Sequence, residues 1–324
     1  MDIKQGVVHS QSKRLDELDF MKCVFILLMV VFHLTFVSET FPFAKAMVYT
    51  FHMPGFLLIS GYLMNVSKPA HSFFSMILWL LVPYIVMESG YIVMASVLPI
   101  NEHIDRLTLD AYLYHLLIKP LGPYWYLQTM VLCGVLHYVT TRIVGTHYFV
   151  RLLSCAGLCY AMSWLGIISF HNALYFFAGA AIRMYCLDVK EVFHPHVLSF
   201  VLLAFLLVDW ENLDGGTAGG VAIVYFVMNV LMLVHAHLPQ RFLCTLHWIG
   251  RNTMPIFLFS PIFTVLCKPL RYVIPNILPQ PLQAGLFIVI SLPLCLAGSI
   301  LIAKVMDITA TSRLLFGRRR VVRE

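Results

Sequence analysis

The sequence predicts an all-α polytopic membrane protein with about ten transmembrane helices and both termini cytoplasmic. Three observations predict it. First, 60% of the 324 residues are hydrophobic and only 12% are charged. A soluble domain carries about 25% charged residues, so this chain has too little charge to cover a water-facing surface. Second, the apolar runs are long and continuous, without the two-residue alternation of a membrane strand. Third, Lys and Arg are distributed unevenly between alternate loops. Disordered, collagen-like and small disulfide-stapled classes are excluded, and no sizeable soluble domain fits.

One helical span takes about 20 apolar residues. Ten such segments lie at 18–37, 46–65, 74–97, 123–140, 149–168, 171–186, 196–210, 218–236, 253–272 and 282–304. The first is read as a span and not a cleaved leader, because Leu34-Thr35-Phe36-Val37 offers no small-residue cleavage site. Between the third and fourth lies the longest outer loop, 98–122. Its 105–117 stretch mixes apolar and polar residues at helical spacing and is expected to lie flat on the interface. Ser169, His171 and Asn172 mark a tight turn between the fifth and sixth segments. The chain divides into a cytoplasmic N-terminal tail, 1–17, the transmembrane domain, 18–304, and a basic cytoplasmic C-terminal tail, 305–324.

Orientation follows from the bias of Lys and Arg toward the cytoplasm. With the N-terminus inside, only Lys45, Arg106, Lys119, Lys268 and Arg271 fall outside, and the other 17 of the 22 fall inside. The net charge of +6 thus reads as topology and not as nucleic-acid binding. Arg318-Arg319-Arg320 reads as a positive inner stop near anionic lipid. Eight cysteines without a C-x-x-C pair predict neither a disulfide nor a zinc site. His194/His196 and His235/His237 are not expected to bind a metal, because helical positions two apart diverge by about 200°.

Ionisable residues inside spans are costly and face the protein interior. Lys22 and His33 are eleven residues apart in the first segment. That spacing puts them on nearly one face, roughly 16 Å apart along the axis. His52 opens the second segment in Phe51-His52-Met53-Pro54-Gly55-Phe56, where Pro and Gly loosen the helix beside a cavity. Glu88, the carboxylate deep inside a span, lies at the depth of His33, roughly 21 against 22 Å. Equal depth permits a pair in which Glu88 orients the imidazole. Trp125, Tyr126 and Gln128 suit either an aromatic belt or a sugar-binding face. Gly250-Arg251-Asn252-Thr253 offers main-chain donors and an Arg for a phosphate.

These residues resemble the integral-membrane acyltransferases of the acyltransferase-3 type, most closely the fucose 4-O-acetylase-like branch. Lys22, ten residues and His33 match the family's basic-x10-His motif, with Lys where most members carry Arg. Phe51 to Leu63 looks like its second-span signature. Pro83-Tyr84, Trp125-Tyr126-Leu127 and Ile249 to Pro261 resemble later motifs. Two departures are visible. Ser260 stands where many relatives have His, and the basic pair before the third span is missing, with Lys68 and His71 nearest.

The resemblance implies O-acyl transfer, usually acetyl, from cytoplasmic acetyl-CoA or another acyl-CoA co-substrate. The acceptor is a hydroxyl of a cell-envelope or lipid-linked glycan, and the site is the plasma, or bacterial inner, membrane. No bound cofactor or metal is implied. On the motif positions, His33 is the general base and Glu88 its orienting partner. Lys22, Arg14, Arg183 and Arg251 would hold the donor, and His52, Trp125, Tyr126 and Gln128 the acceptor side. A glycan-precursor transporter or flippase, and a non-catalytic acyltransferase-like protein, are the alternatives. The oligomeric state is left open.

Overall fold

The computed structural model describes residues 15–98, 102–145, 147–275 and 277–323. Among the described residues it is helical, with no strand. The helices are α1 (Asp16–His33), α2 (Thr35–Thr40), α3 (Pro42–Leu63), α4 (Ala70–Val97), α5 (Leu109–Leu117), α6 (Trp125–Val144), α7 (Tyr148–Trp164), α8 (Phe170–Met184), α9 (Val189–Val192), α10 (Leu198–Leu206), α11 (Ala218–His237), α12 (Gln240–Arg251), α13 (Thr253–Leu266), α14 (Gln280–Ile308) and α15 (Ser312–Phe316).

Local chemistry sets several boundaries. Leu34 is extended (φ −73°, ψ 104°) and separates α1 from α2, so His33 sits at a helix end. Pro42 opens α3, where its missing N–H costs nothing. Thr108 caps the interfacial helix α5 by accepting the Ala111 N–H. Ser169 caps α8 at the polar break read from the sequence.

α1 is the central post. Met21, Cys23, Phe25 and Ile26 are fully buried, and it packs against α3, α11, α12 and α13. α3 and α8 form the closest pair through reciprocal glycines. A Cβ on Gly61 would overlap the Phe176 carbonyl, and one on Gly179 the Leu58 carbonyl. Small residues that let backbones touch are the usual means of holding helices together in lipid, where no hydrophobic force joins them. α4 and α14 lie outside this core. They bury only 28% and 33% of their most apolar stretches, and an apolar helix face left open on that scale suits lipid contact.

Each of the ten segments overlaps a helix, but not every helix can span a bilayer alone. Among the described residues, five helical stretches are long and apolar enough: α3, α4, α6 with its lead-in turn from Gly122, α11 and α14. A sixth counts if α12 and α13, bent by 77° at Asn252, cross as one broken span. The rest fall short for physical reasons. α1 carries Asp16, Glu17, Asp19 and Lys22 in its first two turns. α10 has nine residues, roughly 14 Å of helix against a hydrocarbon core of about 30 Å.

The bundle ends are chemically distinct. At one end, Lys190 pairs with Glu17, Arg142 reaches the Lys68 carbonyl and Asn252 meets Arg323, so the two ends of the described chain share it. At the other end, His33, His171, Asp214 and Lys268 surround one opening.

Candidate functional site

Two cavities lie along the inner side of α1, and the side chain of Met53 lines both. The larger has a volume of about 580 Å³, within the usual range for small-molecule sites. Its walls include His33, Tyr49, His52 and Trp125. The smaller, about 150 Å³, is lined by Lys22, Ser60, Tyr126, Met254 and mostly apolar neighbours. The eleven-residue spacing on α1 thus puts Lys22 on one cavity and His33 on the other.

The histidines are held alike. Nδ1 of His33 lies 2.7 Å from the Met29 carbonyl, and Nδ1 of His52 lies 2.7 Å from the Val48 carbonyl. A carbonyl only accepts, so Nδ1 carries a proton in both rings. Nε2 of His52 is buried with no protein hydrogen bond. Tyr49 stands beside both rings, with centroids 6.2 Å from His33 and 5.2 Å from His52, and its hydroxyl donates to the Phe32 carbonyl. Both rings are thus oriented by the carbonyl one helical turn earlier, and both residues line one cavity.

Glu88 does not make the pair that equal depth permits. Its Oε1 accepts the Leu121 N–H at 2.7 Å, and no hydrogen bond joins it to His33 among the described residues. The Met29 carbonyl orients the imidazole instead. Gln128 is also diverted, because its Nε2 donates to the Leu117 carbonyl at 2.7 Å and it lines neither cavity. Tyr84 donates to the Leu116 carbonyl. Three polar side chains in apolar helices therefore pin residues 116–121, which lead directly into the cavity wall at Gly122, Pro123 and Trp125. Depth along an axis carries no azimuth, and a loop returning into the bundle supplied closer partners.

Of the other acceptor-side residues, Trp125 lines the large cavity, but Tyr126 belongs to the small one, where its hydroxyl meets Ser60 at 2.6 Å. Adjacent helical positions point about 100° apart, which divides the pair between cavities.

The cations are already engaged. Lys22 pairs with Asp19 at 2.7 Å, and Arg251 reaches Asp19 at 3.5 Å and Asp16 at 3.4 Å. Asp19 is buried between them. Gly250 permits this approach, since a Cβ there would overlap the Asp19 carbonyl. Arg183 donates to the Tyr62 carbonyl at the same end of the bundle and lines neither cavity. Arg14 lies outside the described residues. Asn252 is not part of an open anion-binding turn, because its side chain is occupied by the Arg323 backbone. His235 does pair with a histidine, though it is His247 on α12, at 3.0 Å, and not His237.

Sequence reasoning missed Asp19, Tyr49, Glu102, His171 and Asp214. Asp19 carried a signal, the i,i+3 spacing to Lys22. Tyr49 carried a weaker one, three residues before His52. Glu102 and Asp214 are loop residues and His171 stands in the first turn of α8, and only folding brings the three to the large cavity.

A scan against family models finds one match, described as an acyltransferase domain, over residues 15–304. No curated protein and no solved structure matches the chain. The matched region runs from the first turn of α1 almost to the end of α14 and so contains both cavities, Lys22, His33 and His52. The chain is therefore a multi-pass membrane protein that belongs to the acyltransferase-3 family.

Proposed function

We propose that this acyltransferase moves an acyl group, acetyl in the simplest case, from cytoplasmic acyl-CoA to a hydroxyl of a cell-envelope or exported glycan. The observation that carries the reading is the meeting of the two cavities at Met53. One side is narrow, mostly apolar and headed by Lys22, which suits the thin arm of a thioester donor. The other is wide and lined by imidazoles, aromatics and polar loop residues, which suits a sugar. The topology read from Lys and Arg puts the first toward the cytoplasm and the second outside, in a bacterial inner membrane.

In this mechanism Nε2 of His33 takes the proton of the acceptor hydroxyl. The oxygen attacks the thioester carbonyl, a C–O bond forms and the C–S bond breaks. The thiolate leaves and regains a proton, and the ester stays on the glycan. His52 accepts a second hydroxyl and sets the sugar's angle of approach. Trp125 offers a ring face to the sugar. Lys22 and Arg251 bind the donor in exchange with Asp19 and Asp16. A positioned base contributes about 10²–10⁴-fold, so the closed geometry around Met53 must supply much of the remainder.

The test uses purified protein in liposomes with isotopically labelled acetyl-CoA inside and glycan acceptors outside. Label is expected on the acceptor, and mass spectrometry of envelope glycans is expected to lose the acyl mass when the gene is removed. Movement of an acceptor across the bilayer without consumption of acyl-CoA would instead establish a transporter. No acyl transfer and no change in any glycan would sink the reading.

A further inference from the structure

Lys45 stands where its charge is disfavoured. It lies three residues after Pro42, at the start of α3. A helix start carries the positive end of the helix dipole, which opposes a cation, and no side chain caps the start of α3 to offset it. Lys45 nevertheless makes no ion pair among the described residues. Its ammonium lies over the Tyr49 ring, 5.5 Å from the centroid.

Its surroundings are those of the proposed reaction. Lys45, Tyr49 and His52 follow one another at spacings of four and three, so they share one face of α3. All three line the large cavity with His33. Tyr49 stands beside both imidazoles, and the charge of Lys45 is felt at His33. The same wall is open to a ligand, because Nε2 of His52 is buried on it without a hydrogen bond. Lys268 opens the short helical turn Lys268–Val273 after α13, lines the same cavity and makes no ion pair among the described residues. Both α3 and α13 pack against α1, the helix that carries His33.

Two carboxylates also line the cavity, and backbone groups on other walls engage them. Oε2 of Glu102 accepts the Gly122 N–H at 2.6 Å, where Gly122 lies against Tyr91 of α4. Oδ1 of Asp214 accepts the Gly216 N–H at 2.9 Å, in the loop where Tyr175 of α8 donates to the Gly215 carbonyl. The four charges cancel in sum but are divided in space. Carboxylates mark the α4 and α8 sides, and ammonium groups mark the side of His33. A ligand with a negative group near its reacting hydroxyl matches that division.

We propose that the acceptor bears an anionic group, a carboxylate or a phosphate, and that Lys45 and Lys268 receive it while a neighbouring hydroxyl meets His33. This deepens the acceptor reading above and rests on it. The held anion also stands near the base, where it offsets the positive charge that His33 gains on taking the proton.

The test uses full-length protein in detergent, labelled acetyl-CoA and three matched probes: methyl glucuronide, the neutral methyl glucuronamide, and methyl glucoside 6-phosphate. Transfer is measured for wild type, Lys45→Met, Lys45→Arg, Lys268→Met and the control Lys119→Met, which removes an exposed lysine that lines neither cavity. Mass spectrometry of envelope glycans, with and without the gene, locates the ester in parallel. The expected result is a kcat/KM for an anionic probe about tenfold or more above that for the amide. The better of the two anionic probes names the group. The preference should fall about tenfold in Lys45→Met, fall less in Lys268→Met, return in Lys45→Arg, persist in Lys119→Met and shrink with salt. Equal use of the amide, a preference that survives Lys45→Met, or one lost equally in Lys119→Met overturns the inference and leaves the acceptor reading standing. If no probe is acylated, the glycan decides. An ester on a sugar that carries a carboxylate or phosphate upholds the inference, and one on a neutral sugar overturns it. An ester lost from no glycan removes the acceptor reading, and this inference with it.

Discussion

The two cavities that meet at Met53 are built by different rules. The small one is made by residues within helices α1, α3, α6 and α13, at ordinary helical spacings, and its lining is mostly apolar. The large one has nearly four times the volume and adds to a helical wall that includes Tyr49, His52 and Tyr91 residues from helix ends and loops far apart in the chain, among them His171, Leu213, Asp214 and Gly122. The contrast has a physical cause. A thin flexible ligand needs a greasy slot, which packed helices leave between them. A polar ligand needs convergent hydrogen-bonding groups, which apolar spans cannot carry in number. In the function proposed above, the donor's arm takes the helical side and the acceptor the loop side.

The sharpest way to break this contrast is at His33. His33→Ala is expected to lower turnover by about 10²–10⁴-fold while the protein still inserts and binds acyl-CoA. Turnover close to wild type in that variant would falsify the base assignment. His52→Ala should act less severely and mainly on the acceptor KM, because its Nε2 is given a binding role.

Met53 tests the junction. Met53→Trp is expected to slow transfer by about 10²-fold, the scale of a small misplacement of reacting groups. Donor and acceptor should each still bind in the absence of the other. Equal turnover in this variant would mean that the two cavities do not exchange chemistry there.

Gly250→Ala addresses the helical side. The added Cβ meets the Asp19 backbone carbonyl, which no rotamer change relieves. A loss of about 1–3 kcal/mol is expected from such overpacking, read as a lowered thermal midpoint in detergent. An unchanged midpoint would show that α1 and α12 can part without cost.

Glu88 addresses the loop side. Glu88→Ala removes the acceptor of the Leu121 N–H, at a cost of about 1–3 kcal/mol for the orphaned donor. The wall at 122–125 should loosen, so the acceptor KM rises and kcat changes little. Glu88→Gln keeps an oxygen for that bond and should be nearly silent. If Glu88→Gln instead abolished turnover, the carboxylate would belong to the chemistry and not to the loop.

The smallest effect is expected at the Lys190–Glu17 pair, 2.6 Å apart at the start of α1. Burial opposes the charge on Glu17, yet the hydrogen bond from Lys190 holds its carboxyl below the ordinary 4.5 and holds the ammonium of Lys190 above its own ordinary value. The contribution of Glu17 is thus present above the unfolded carboxyl value and lost as pH falls through the lower, folded one. That of Lys190 is present below the unfolded lysine value and lost as pH rises through the higher, folded one. The pair is largely water-screened, so Glu17→Gln should cost about 1 kcal/mol or less. Its difference from wild type should vanish in acid. A difference that persisted at pH values where both forms are neutral would assign the effect to packing.

Much of the molecule was readable before folding. Charge scarcity and unbroken apolar runs indicated helices in lipid. The eleven-residue spacing placed Lys22 and His33 on one face, and Phe51-His52-Met53-Pro54 marked a cavity wall. Each of these depends on short-range periodicity, which a helix preserves. What depends on azimuth between helices was not readable. Glu88 and His33 stand equally far along their segments by residue count yet have different partners, and Gln128 and Tyr126 were diverted to a loop and to the other cavity. Asp19 at the centre of the cation cluster, the loop carboxylates and the pairing of the Arg323 backbone with Asn252 required the packed bundle. Sequence by itself determined the solvent, the helical class and which residues are costly enough to matter, because burial energies attach to residue types. Only the tertiary structure decided which of those residues meet, because contacts between residues as far apart as 252 and 323 depend on how helices rotate and pack, and no local period encodes that.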